Sequence, residues 1–327
     1  MYDVVTFGET MVRLSPPNYR RLEQAHSFDV SAGGAEMSVA CNVSRLGLKS
    51  AWVSRLTDNS MGHLIRNKAR EQGVDSSHIV WTKEDRVGIY FVEFGASPRP
   101  SRVIYDRANS AMAGIKPGEV DWETVLKDVK WFYTTGITPA LSPSSAEATI
   151  EALKAAKKMG CKVGCDLNYR ARLWTEDEAH KCMEPLMEYV DVLISTEEDT
   201  AKVLKITGDS YQDVARKLAE RFDFDAVCIT IRTDLSVLKN QWTAIVYSDG
   251  KLYEDRTYEV EIIDRVGAGD SFSSGFLYGY ITGDVEKGLK YGNAYAALEH
   301  SIPGDINWCT LQELENLIKG GGTRISR

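Results

Sequence analysis

The sequence is poor in cysteine and histidine and carries no surplus of positive charge. Six cysteines, at positions 41, 161, 165, 182, 228 and 309, are too few and too scattered for a disulfide scaffold in 327 residues. Cys161 and Cys165 stand in CKVGC, which is not CxxC, and no histidine lies near to complete a zinc site. They read as buried strand thiols in a reducing compartment. No run of 18 apolar residues occurs, which excludes a transmembrane helix. The start, MYDVVTFGETMVRLS, lacks the basic and apolar regions of a secretory signal, so a cytoplasmic location is expected. Lys and Arg number 39 against 47 Asp and Glu, a net charge of −8. That balance gives no footing for nucleic acid or an anionic membrane, and an anionic ligand would need local positive groups. Several motifs are missing as well. There is no GxxxxGK[ST], GxSxG or HExxH, and GAGDSF fails GxGxxG because Phe272 occupies the last glycine's place. A P-loop enzyme is excluded and a dinucleotide-binding dehydrogenase is disfavoured.

What is present is a regular alternation. With 43% hydrophobic and 26% charged residues, the chain suits a soluble globular protein of one large or two smaller domains. Val4–Phe7 reads as a first strand. After about residue 115, segments 129–136, 162–168, 191–195 and 226–230 read as buried strands, separated by helical patterns at 144–159, 175–190, 197–204 and 209–222. Strand and helix in alternation predict right-handed crossovers and a mostly parallel, doubly wound α/β sheet. Residues 9–32 and 87–106 break the rhythm with short strands and a hairpin through GASPRPS, and predict a small antiparallel sheet serving as lid or interface. The division expected is therefore 1–8, 33–86 and 107–327 as the main domain, with 9–32 and 87–106 as the lid. An exposed lid edge or face predicts a homo-oligomer. The tail GGGTRISR is expected to fray.

The chemistry concentrates in EVEIIDRVGAGDSFSSGFLYGYITG (259–283). A β-prone run precedes Asp264, then Gly267-Ala268-Gly269-Asp270, then a helix whose Phe272, Phe276, Leu277, Tyr280 and Ile281 share a face. Free N–H groups and the helix dipole converge on the small-residue turn, which suits a phosphate or a developing negative charge. Asp270 stands beside that anion site as a candidate base for a substrate hydroxyl, with Gly267, Ala268 and Gly269 supplying the charge-stabilising turn. The alternative makes Asp270 a helix-capping acid and the glycines a tight turn.

These residues resemble a known family. Asp264 with Gly267-Ala268-Gly269-Asp270 looks like the D-x-x-G-A-G-D signature of the ribokinase-like (PfkB) carbohydrate kinases. Gly33-Gly34-Ala35-Glu36 through Arg45-Leu46-Gly47 is similar to that family's N-terminal signature, and the two stand in the right order about 230 residues apart. The resemblance implies a doubly wound α/β domain with a β-sheet lid, and transfer of phosphate from ATP, with Mg²⁺, to a sugar hydroxyl. It implies Asp270 as base and Gly267, Ala268 and Gly269 as anion hole. The family's N-x-x-E motif aligns with Ser195-Thr196-Glu197-Glu198, which keeps Glu198 as an organiser of Mg²⁺ through water but puts Ser195 in place of Asn. A monovalent cation, K⁺, accompanies this loop in many members, with Asp264 as a contributor.

Within the family, the segments around Tyr90, Tyr105-Asp106-Arg107, Asn168-Tyr169-Arg170, Asp264-Arg265-Val266 and His300–Asp305 resemble the 2-keto-3-deoxygluconate kinase group. The resemblance implies Gly34, Tyr90, Tyr105, Arg107, Arg170, Asp270 and Asp305 at the sugar. It implies Asn168, Arg170, Arg232, Thr233, Gly267, Ala268, Gly269 and Asp270 at ATP. A 2-keto acid carries a carboxylate that neutral sugars lack, and Arg107 and Arg170 are candidates to bind it. Arg170 on an ATP phosphate, Arg107 as a surface arginine, and the two tyrosines as packing aromatics remain open. Two departures stand out. Ser38 occupies a position where many members have the Asn of the N-terminal signature, and Thr230–Asp234 replaces a glycine-bearing nucleotide turn. The expected reaction is phosphorylation of the terminal hydroxyl of 2-dehydro-3-deoxy-D-gluconate to the 6-phosphate. The rivals are a fructokinase- or ribokinase-type enzyme for a neutral sugar and a non-catalytic sugar sensor on the same fold.

Overall fold

The computed structural model describes residues 1–321, so most of the tail expected to fray lies outside the described residues. Its centre is a nine-stranded sheet. Parallel strands Ser50–Val53, Val4–Phe7, Trp131–Thr135, Lys162–Asp166, Val192–Ser195 and Ala226–Ser236 lie side by side in that order. Strands Lys239–Ser248, Lys251–Glu254 and Tyr258–Glu261 extend the sheet antiparallel beyond Ala226–Ser236. Period-two alternation explains why the parallel strands read as continuous apolar runs. Val5, Phe7, Phe132, Val163, Leu193 and Val227 pack into one layer, while Val4, Trp131, Tyr133, Val192, Ile194 and Ala226 pack into the other. All six cysteines are free thiols, and Cys161 and Cys165 are buried.

The helices begin where capping chemistry allows. Ser142 caps helix Pro143–Lys158 with Pro143 in its first turn, and Thr175 caps Glu176–Leu186 reciprocally with Glu178. The sequence patterns miss some boundaries. The 175–190 helix stops at Leu186, one residue after Pro185, and continues as a 3₁₀ turn to Tyr189. The strand at 226–230 runs on to Ser236, so Thr230–Asp234 forms one arm of a long hairpin rather than a turn.

The two irregular stretches form a separate four-stranded sheet in the order Asp29–Gly33, Met11–Ser15, Ile89–Glu93, Arg102–Asp106. Its outer pairings are antiparallel and the inner one, Met11–Ser15 with Ile89–Glu93, is parallel. Register places Ser31, Arg13, Tyr90 and Tyr105 in one row across this sheet, so all four belong to one face. Among the described residues, no helix is long and apolar enough to cross a membrane.

Candidate active site

Between the two sheets lies a cleft of about 700 Å³. It sits at the carboxyl ends of the parallel strands, the usual ligand position in an open α/β sheet. Glu9 follows the first strand, Asp166 ends the 162–166 strand with Asn168 just beyond it, and Glu198 and Asp199 follow the 192–195 strand. Across from them stand Tyr90, Tyr105 and Arg107 of the small sheet.

The turn Gly267–Asp270 opens helix Ala268–Thr282, whose buried Phe272, Phe276 and Leu277 anchor it to the main sheet. The next helix, Val285–Glu299, packs close against it. A Cβ at Gly275 would stand 2.6 Å from the Tyr291 carbonyl oxygen, so the backbone approach requires glycine there. Gly267 has φ +99°, and a Cβ on it would lie 2.7 Å from both the Asp305 carbonyl oxygen and Glu299 Oε1. Both its conformation and its surroundings demand glycine.

Asp270 opens into the cleft beside this turn. Burial, then the nearby carboxylates Asp166, Asp305 and Glu36, raise its pKa well above the carboxylate range, and Arg170 acts in the opposite sense. Asp166 is pushed up to about 7 by burial and Asp199, again offset by Arg170. Arg170 is exposed and makes no ion pair among the described residues. A cleft holding clustered acids and an uncommitted arginine suits an anion that arrives with its own cation.

The sequence-derived candidates Gly34, Tyr90, Tyr105, Arg107, Asn168, Arg170, Glu198, Arg232, Gly267, Ala268, Gly269, Asp270 and Asp305 all line the cleft. Two do not. Thr233 follows Arg232 on an extended strand, so its side chain points to the opposite face. Asp264 is buried behind the turn and bonded to Arg13. Several cleft residues are already engaged. Arg107 Nη2 donates to Glu9 Oε2, while the buried Arg107 Nε has no partner among the described residues. Asp305 accepts from Arg13 Nη1 at 2.7 Å and from the Tyr90 hydroxyl. Glu198 pairs with Lys202 on the helical face one turn on.

Sequence reasoning missed Glu9, Arg13 and Glu36. Glu36 is fully buried at the start of helix Ala35–Arg45, and its Oε1 accepts from the Thr135 amide and from the Thr135 and Thr138 hydroxyls. Burial lifts its pKa to about 7. The available signal was an acid directly after a strand-ending glycine, in Gly8-Glu9, and another after Gly33-Gly34.

The chain matches the profile of the pfkB family carbohydrate kinases over residues 1–311. It is a member of that family. A relative of 40% identity, covering 99% of both chains, is the 2-dehydro-3-deoxygalactonokinase of Haloferax volcanii. The 5-dehydro-2-deoxygluconokinase of Bacillus licheniformis is 30% identical over 97% of this chain and 96% of its own. The solved structure of a 2-dehydro-3-deoxygluconokinase from Thermotoga maritima superposes with a TM-score of 0.95 at 43% identity, covering 98% of this chain and 100% of that one. This pfkB kinase therefore shares fold and family with enzymes named for phosphorylating oxidised, deoxygenated sugar acids.

Proposed function

We propose that this kinase moves the terminal phosphoryl group of ATP to the terminal hydroxyl of 2-dehydro-3-deoxy-D-gluconate, giving the 6-phosphate. The observation that carries the reading is Asp270 and the Gly267–Asp270 turn sharing one cleft with Arg107 and the unpaired Arg170. Asp270 accepts the hydroxyl proton as the oxygen attacks phosphorus. The amides of Ala268, Gly269 and Asp270 at the helix N-terminus offset charge on the phosphoryl oxygens. Arg170 and the free donors of Arg107 bind the carboxylate that separates a keto acid from ribose or fructose. A second cavity, of about 670 Å³, runs between Arg107 on the small sheet and Arg170 and Arg172 after the 162–166 strand. This basic side gives an acidic protein a route for an acidic sugar.

Asn168, Arg232 and the 267–270 turn form the nucleotide side, with Thr233 facing away. Glu198 and the neighbouring acids suit a hydrated Mg²⁺, whose role when bound is to neutralise phosphate charge. No three His, Cys, Asp or Glu side chains converge as a ready metal site among the described residues. Residues 9–32 and 87–106 act as the lid over the sugar. Phe28 and Val30 are exposed on the lid and would be covered by a second copy in a homo-oligomer.

The second reading is the C4 epimer, 2-dehydro-3-deoxy-D-galactonate, favoured by the name of the Haloferax volcanii relative. Both epimers present the same carboxylate, ketone and terminal hydroxyl. Incubating each with ATP and reading the phosphorylated carbon by phosphorus and carbon NMR tests the proposal. Phosphate on carbon 6 of the gluco epimer, formed at the higher kcat/KM, supports it; preference for the galacto epimer moves the assignment to the second reading.

A further inference from the structure

Arg13 lies on an inner strand of the small sheet and is only 2% exposed. Its guanidinium donates to three buried acceptors: Nη1 to Asp305 Oδ1 at 2.7 Å, Nη2 to Asp264 Oδ2, and Nε to Ser15 Oγ at 3.2 Å. Asp264 is the residue that leads into the Gly267–Asp270 turn. Its carboxylate also accepts the Val266 amide on Oδ1 at 3.1 Å and the Gly304 amide on Oδ2 at 3.0 Å. Both oxygens of Asp264 thus have protein donors. A monovalent cation bound through this carboxylate would have to share it with two amides and a fixed positive charge that repels it, so the residues present do not fit the K⁺ site that the family resemblance implies.

The charge inventory points the same way. Around the turn stand Asp264, Asp305, Asp270 and the fully buried Glu299, whose two carboxyl oxygens have no protein partner among the described residues. Burial and the three neighbouring aspartates push the Glu299 pKa up. Burial alone would lower the pKa of Arg13, but Asp305 and Asp264 raise it by more, so the guanidinium stays charged. Arg13 is the basic group bonded to this cluster, and it comes from the lid side of the cleft.

We propose that Arg13 takes the place of the monovalent cation: its guanidinium is the fixed positive charge behind the Gly267–Asp270 turn, and the enzyme works without K⁺. Arg13 is a positioning residue, acting through Asp264 on the turn and through Asp305 on Tyr90. The same bonds tie the small sheet to the segment leading into helix Ala268–Thr282, so the position of the lid and the geometry of the anion site are coupled. The inference rests on Gly267–Asp270 being the anion turn, and the two ideas fail separately. If Asp270→Asn kept its turnover, the site reading would fall whatever the cation response. If Asp270→Asn were inactive while K⁺ activated the parent enzyme, only the role of Arg13 would fall.

The test is turnover of the unmodified enzyme as K⁺ replaces tetramethylammonium at constant ionic strength, together with ligand-free melting in each salt. The expected result is a rate constant within about twofold and the same melting temperature, because no cation binds the folded state selectively. K⁺-specific activation beyond that, or a K⁺-specific rise in melting temperature, would show a cation held elsewhere, for instance at Glu299, and would overturn the proposal. Arg13→Ala should lower kcat by about tenfold or more through loss of preorganised charge, with partial recovery on adding guanidinium or K⁺. Arg13→Lys should fall between the two. A folded Arg13→Ala with the parent kcat contradicts the proposal. If that variant does not fold, the parent cation series decides alone.

Discussion

The hydroxyl of Tyr90 lies 2.7 and 2.6 Å from the two carboxylate oxygens of Asp305, a residue 215 positions away in the chain. One proton shared between two oxygens, with Arg13 on the same carboxylate, fixes the small sheet to the segment that follows helix Val285–Glu299. The contact leaves no room at Gly33, where a Cβ would stand 2.0 Å from the Tyr90 oxygen. The small sheet, the proposed sugar site and the Gly267–Asp270 turn therefore share one buried hydrogen-bonded network.

Replacing the base tests the chemistry. Asp270→Asn keeps the shape of the side chain and removes proton acceptance, so kcat should fall by roughly 10²–10⁴ while ATP binding persists. The raised pKa of Asp270 gives the pH dependence its sign. The carboxylate form is gained only as pH rises through that elevated value, so kcat/KM should climb on an acid limb placed above the ordinary aspartate value of 3.8. An acid limb at or below that value would remove Asp270 from the role.

Gly267→Ala addresses the turn. It forces a Cβ into positive φ and against the Asp305 carbonyl. We expect a stability loss of about 1–3 kcal/mol by denaturant unfolding and a larger proportional loss of kcat than of ATP affinity. Unchanged kcat in the folded variant would contradict the tight-turn account.

Much of this is legible in the sequence. The Asp264–Asp270 segment, the strand ends at Asp166–Asn168 and Ser195–Glu198, and the two stretches that broke the βα rhythm each carried a local signal. Arg13 carried none. It reads as one more polar residue alternating along a strand, and its meaning comes from Asp264 and Asp305, both far away in sequence. The family resemblance implies Tyr90 and Tyr105 at the sugar, but only cross-strand register puts them beside Arg13. Thr233, which the resemblance implies on the nucleotide side, does not line the cleft for a similar reason: once residues 226–236 form one strand, neighbours Arg232 and Thr233 must face opposite ways. Local pattern gives elements and motifs, whereas long-range ion pairs depend on packing.

Buried acids should make the ligand-free protein more stable at low pH than at high pH within the folding range. Glu36 titrates near 7 in the fold against an ordinary 4.5, so the fold favours its neutral form. That contribution is complete below pH 4.5 and is lost as pH rises through about 7. Asp166, also raised to about 7 from 3.8, adds to the trend. The melting temperature of Glu36→Gln, followed from pH 5 to 8, should fall less steeply than the parent's. Parallel slopes would mean that Glu36 does not carry its proton into the fold.

Arg170 tests how the carboxylate is held. Arg170→Ala should raise KM for the keto acid by about tenfold or more, with a smaller change in KM for ATP. The reverse pattern would assign Arg170 to the nucleotide phosphates. Arg107→Ala is the less clean variant, because it also strands the buried Glu9 carboxylate.

The central claim is that this family member acts on an acidic sugar. ADP release over a panel of 2-dehydro-3-deoxygluconate, its galacto epimer, fructose and ribose tests it most directly. The account predicts kcat/KM for the keto acids at least about a hundredfold above the neutral sugars, because a neutral sugar offers Arg107 and Arg170 no carboxylate to bind. Equal or higher kcat/KM for fructose or ribose would contradict it.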